Sequence, residues 1–156
     1  MLIIIGAEAE MQLTFTTELI MDRIEKTGNF LMNIDEIIDW EPFSTLLNKN
    51  IKSKLGADGY DLLSMFKISL IQHWYSLSDR QTEESITDRL SFMIFCGFNL
   101  EDKIPDHSSI CRFRKSLIEK DLEAKLLREV NHQIESFGFS LKTGSRHLSH
   151  HQPKQP

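Results

Sequence analysis

Residues 60–81 read YDLLSMFKISLIQHWYSLSDRQ, and the spacing inside them decides the fold class. Leu62, Leu63, Phe66, Leu70 and Trp74 recur at three and four, which places them on one face of an α-helix. Met65, Ile68 and Ile71 widen that stripe, so the spacing predicts a helix buried on most sides. Ser78 follows, with Gln81 three residues on. This is a capping-box pattern, in which each residue's side chain satisfies a free amide of the other, and it starts a second helix that runs to about Leu90.

The flanking segments repeat the theme. Residues 16–26 (TTELIMDRIEK) form a short helix closed by Gly28, and 30–47 continues with Ile34, Ile37, Ile38 and Phe43. Pro42 breaks or restarts that segment, because proline lacks a donor and clashes with the preceding turn. The polar NKNIKSKLGADG at 48–59 reads as a loop. A short apolar segment, LSFMIFCGF, stops near Gly97. Farther on, Leu122, Leu126, Leu127, Val130, Ile134 and Phe137 keep helical spacing, and Gly138 is the stop. Apart from a possible short strand at 2–5, no alternating strand pattern stands out. The expected fold is all-α: a compact multi-helix domain with a helix-turn-helix-like element and no substantial sheet.

With 156 residues, 40 % of them apolar and 26 % charged, the chain is long enough for one core-forming domain. The longest apolar run, LIIIGA at 2–7, is far short of the roughly 20 residues a membrane span needs, and it lacks the basic start of a signal peptide. Two cysteines, Cys96 and Cys111, build neither a disulfide framework nor a four-ligand zinc site, so the expectation is a reducing cytoplasm and no membrane partner.

The net charge of -5 has the wrong sign for a surface devoted to nucleic acid. The charge is uneven, however. Residues 1–41 carry nine acids against two bases, whereas 103–120 carry Lys103, Arg112, Arg114, Lys115 and Lys120 against only Asp106 and Glu119. Within that basic island, 105–117 reads PDHSSICRFRKSL. Pro105 disfavours helix at Ile104, and Asp106 or Ser108 can cap a helix that begins near Ser109. Ile110, Phe113 and Leu117 form its inward face, Arg112 and Lys115 point away from the core, and Arg114 lies beside them. Hydroxyls and free amides at a helix start, with cations along its outer face, suit phosphate or groove contact by Ser108, Ser109, Arg112, Arg114 and Lys115. The same spacing also describes an ordinary capped surface helix with solvated charges.

Other constellations point to no chemistry. His147, His150 and His151 have neither a carboxylate nor a thiol nearby and no rigid helix to hold them, so they are not read as metal ligands. His73, His107 and His132 are scattered over different helices, and Trp74 and Tyr75 read as core. No phosphate-binding glycine loop or nucleophile elbow is present, and no carboxylate pair has spacing that singles it out for acid and base work. No catalytic or metal-binding residue is assigned, and no cofactor.

Taken in order, LIQHWYSLSDR (70–80), DRLSF (88–92), PDHSS (105–109), RFR (112–114) and NHQIESFGFSLKTG (131–144) resemble the N-terminal helical domain of bacterial DDE transposases of the insertion-sequence-five group. The acidic FLMNIDEIIDW at 30–40 fits the start of such proteins, so the resemblance covers 11–144, after an unassigned leader at 1–10. It implies helices that engage duplex DNA at the terminal inverted repeats of a mobile element. It also implies a following ribonuclease-H-like domain, whose two aspartates and one glutamate hold two divalent metal ions, Mg by expectation, for strand transfer. The resemblance stops at Gly144. The segment 145–156, SRHLSHHQPKQP, has no Asp or Glu and is read as a disordered, out-of-frame tail. The expectation is therefore a truncated or frameshifted transposase that keeps DNA binding and performs no strand transfer alone. The alternative is a helical interaction module that inhibits or oligomerises with itself or full-length transposase, or an inert remnant.

Overall fold

The computed structural model describes residues 18–20, 22–24, 26–51, 59–141 and 148–150. The leader, with the strand considered at 2–5, lies outside the described residues. Helical backbone at 18–20, 22–24 and 26 matches the first expected helix, and Gly28 follows at φ +63°. Its Cβ-free backbone allows the left-handed turn into α1, Phe30–Ile37. Asn29 caps α1 by accepting from the Leu31 amide.

Pro42 acts as the sequence predicts. The chain stops at Ile37 and restarts as α2, Glu41–Asn50, with proline in the first turn, where its missing N–H costs nothing. This helix runs three residues into the expected loop at 48–59. Leu47 is fully buried, and Ile51, just beyond the last turn, is 6 % exposed, so the apolar face continues past the polar composition. Of that loop, 52–58 lies outside the described residues.

Next comes α3, Leu62–Tyr75, capped by Asp61 and closed by Ser76 in the left-handed region. Leu62, Met65, Phe66, Ile68, Leu70 and Ile71 are all buried, and Phe66 stacks on Phe43 of α2 with ring centroids 5.6 Å apart. At about 1.5–3 kcal/mol for each fully buried large apolar side chain, this helix is the chief organiser of the core. Both arms of the capping box are formed at Ser78 and Gln81, and α4 spans Asp79–Asp88. A short α5, Leu90–Phe95, sinks Phe92, Met93 and Phe95, and Gly97 at φ +82° ends that turn.

Asp106 then caps α6, His107–Glu119, which begins two residues earlier than the spacing alone indicates. Finally α7, Glu123–Ser136, packs Leu126, Val130 and Ile134 inward, while Phe137 beyond its end is 57 % exposed and takes no part in the core. Contacts join α2 to α3, α1 to α5 and α7, and α6 to α3, α4 and α7. The helices α4 and α6 pack directly together. Two hydrogen bonds tie the early chain to the late one: the Asp39 amide donates to Gln133 Oε1 at 2.8 Å, and Gln133 Nε2 donates to the Asp39 carbonyl at 3.4 Å.

The fold is an all-α compact domain with one small addition. Phe139–Leu141 (β1) pairs antiparallel with Leu148–His150 (β2), Phe139 opposite His150. Residues 148–150 therefore form a strand inside the segment read as a disordered tail; 145–147 and 151–156 lie outside the described residues.

Candidate nucleic-acid interface

The apolar face of α6 fixes what its other faces can do. Ile110, Phe113 and Leu117 are buried to within 1 % exposure and anchor the helix on the core. At about 100° per residue, Ser108, Arg112, Lys115 and Glu119 then share one outward stripe. All four are exposed. Arg112 Nη2 donates to Ser109 Oγ at 3.1 Å, which holds the guanidinium along the first turn, and no partner is seen for Lys115 among the described residues.

The structure separates Arg114 from this stripe. It lies about 200° around the helix from Arg112 and is half-buried against α4. Its guanidinium grips Asp79 bidentately, Nη1 to Oδ1 at 2.6 Å and Nη2 to Oδ2 at 3.1 Å. Gln72 Nε2 of α3 donates to the same Oδ1 at 2.7 Å. Burial pushes the Asp79 carboxyl up, but the hydrogen bonds from Gln72 and Arg114, the Arg114 charge and a bond with Cys111 together outweigh it and hold the group below its ordinary range. Arg114 therefore does not stand beside Arg112 and Lys115 as a free cation.

The start of α6 is corrected as well. Two of its amides are not free for phosphate, because the chain's own carboxylates occupy them. Glu83 Oε2 accepts from the His107 amide at 2.8 Å, and Asp106 Oδ1 accepts from the Ser109 amide at 2.7 Å. The His107 backbone and then its ring, with Nδ1 2.9 Å from Glu83 Oε2, hold the Glu83 carboxyl below its usual value. The Ser109 amide and side chain do the same for Asp106. Both groups are anionic at neutral pH, so the end of the helix repels a phosphate that its dipole alone would attract. Ser109, half-buried and bonded on both sides, belongs to this capped end, whereas Ser108 opens onto the stripe.

Cys96 and Trp74 have structural roles. Burial pushes the Cys96 thiol far above its ordinary range, which leaves it an unreactive part of the core. Trp74 packs edge-on against Phe30 and tilted against Phe95, as a core residue. Among the described residues no group of three or more His, Cys, Asp or Glu side chains could hold a metal ion, and none of the helices is long and apolar enough to cross a membrane.

A family model described as a transposase domain, DUF772, matches residues 18–116. The chain belongs to this transposase-domain family. The matched span of the transposase domain takes in α1 to α5 and α6 as far as Ser116, so the stripe from Ser108 to Lys115, the Asp79–Arg114 pair and the Glu83 cap all fall within it. No solved structure matches the chain.

Proposed function

We propose that this transposase domain binds duplex DNA at the terminal inverted repeats of a mobile element, as the N-terminal domain of a DDE transposase of the insertion-sequence-five group. The observation that carries the reading is the stripe of Ser108, Arg112 and Lys115. It is an exposed strip on a rigidly anchored helix, its two cations outnumbering the one acid, Glu119, at its far end, in a chain of net charge -5 that belongs to a transposase family. With the helix end closed by Glu83 and Asp106, contact is side-on: α6 lies along a groove, with Arg112 and Lys115 toward phosphates or base edges. Holding DNA is then the role of this domain. Strand transfer belongs to metal-dependent chemistry carried elsewhere, and the setting is the cytoplasm, where Cys96 and Cys111 stay reduced.

The test is fluorescence anisotropy across a salt series, with a duplex carrying the element's end and a random duplex of equal length. Arg112→Gln and Lys115→Gln should each reduce the slope of log K against log salt by about 0.9. Equal affinity for the two duplexes would remove the specific-binding claim. The alternative, a module that pairs with full-length transposase, rests on the overall acidity and the apolar stripe at 60–75. That stripe is taken up by the domain's own core, and stable association with intact transposase that survives both substitutions would support it instead.

A further inference from the structure

We infer that the ion pair of Asp79 and Arg114, braced by Gln72, is the positioning clamp of the DNA-facing helix: it sets the roll of α6 about its own axis. The inference rests on the side-on reading of α6 given above. A helix seated on three apolar side chains resists tilting more than rolling, because apolar contact has no direction of its own. A bidentate guanidinium and carboxylate pair does have one, since two parallel hydrogen bonds fix the planes of both groups. Here the carboxylate sits in the first turn of α4, immediately after its Ser78 cap, and also accepts from Gln72 of α3. Three helices therefore converge on Asp79, and the only long cation that α6 sends to them is Arg114.

Roll matters because the outer side chains are far from the axis. A helix with side chains is about 10–12 Å across, so a 20° roll moves the outer tips by roughly 2 Å, enough to lose a hydrogen bond to a base edge. The clamp thus acts on Arg112 and Lys115 without touching DNA. Side-chain exposures of 35 % for Arg114 and 23 % for Asp79 leave the pair partly screened, so its role is orientation more than stability.

The same salt-series titration tests this with three further variants of the whole chain. Arg114→Gln should leave the salt slope unchanged while the preference for the element's end over random duplex falls by about tenfold, the size of one lost base contact. Asp79→Asn breaks the same pair from its other side and should likewise lower the preference with the slope unchanged, and the double variant should lower it no further than either single one. If Asp79→Asn fails to fold, as circular dichroism would show, Arg114→Gln alone still decides. A slope reduced by about 0.9 in Arg114→Gln, as in Arg112→Gln, means that Arg114 touches phosphate itself and overturns the clamp. An unchanged preference in Arg114→Gln overturns it too. The reading of α6 as the DNA face fails by a different sign: Arg112→Gln and Lys115→Gln with no effect on slope, in which case the clamp falls with it.

Discussion

Lys67 and Asp35, 32 residues apart in the chain, form an ion pair at the edge of the aromatic core, with Nζ 2.6 Å from Oδ1. The same Oδ1 accepts from Trp40 Nε1 at 2.9 Å, and the ammonium lies 4.4 Å from the Trp40 ring centroid and 5.1 Å from that of Phe95. The pair fastens α1 and the start of α2 onto α3. Removing one partner of a well-buried pair costs about 3–5 kcal/mol because the other charge is left uncompensated. The Asp35 side chain is 37 % exposed, so the cost is screened. Asp35→Ala is expected to destabilise by about 2 kcal/mol, and Lys67→Met, which leaves only a partly hydrated carboxylate, by less than about 1 kcal/mol. Urea denaturation of both variants checks the order; equal losses would contradict it.

The capping box at the start of α4 makes a second expectation. Gln81 Oε1 accepts from the Ser78 amide at 3.0 Å and Ser78 Oγ accepts from the Gln81 amide at 3.3 Å. Ser78→Ala should cost about 1 kcal/mol and Ser78→Gly only a few tenths. Since Asp79 is the next residue, fraying there also loosens its hold on Arg114. Thermal unfolding of the two variants gives the comparison, and a glycine variant less stable than the alanine one would argue against the cap.

Acid should destabilise the domain through three named carboxyls. Asp79, Glu83 and Asp106 all have folded-state values below their ordinary ones, 3.8 for the aspartates and 4.5 for the glutamate. A depressed carboxyl stabilises fully above its ordinary value and loses that contribution as pH falls through its folded-state value. Stability should therefore begin to fall as pH drops below about 4.5, first through Glu83 and then through the two aspartates. Urea midpoints measured down the acid range follow this. The decline should be shallower in Glu83→Gln, and an identical profile in that variant would remove Glu83 from the account.

Much of this architecture is legible in the sequence because its signals are local. Ser78 with Gln81, Pro42 between two helices, and Ile110, Phe113 and Leu117 on one face each need only a few neighbours to be read. The polar contacts that shape the site are not local. Asp79 meets Arg114 across 35 residues and Glu83 meets His107 across 24. Spacing on α6 alone left Arg114 beside two free cations, and only the packing of α4 against it supplies the carboxylate. Lys67 gave a usable hint, since a lysine inside an otherwise apolar helix needs a buried anion, but the identity of Asp35 depends on how α1 crosses α3. The two carboxylates over the start of α6 were hidden likewise: Asp106 was visible as a cap, and Glu83 belongs to another helix.

The two hydrogen bonds between Asp39 and Gln133 bear on how the protein comes into being at the ribosome. They span 94 residues, and α7, which carries Gln133, also packs against α1. At rates of synthesis of about 5–20 residues per second, α1 waits roughly 5–20 s after its own emergence before α7 arrives to cover it. Helices α2 to α6 can assemble around α3 in that interval. The last closure is set by translation, and until then the part of α1 that α7 will cover is open to chaperones.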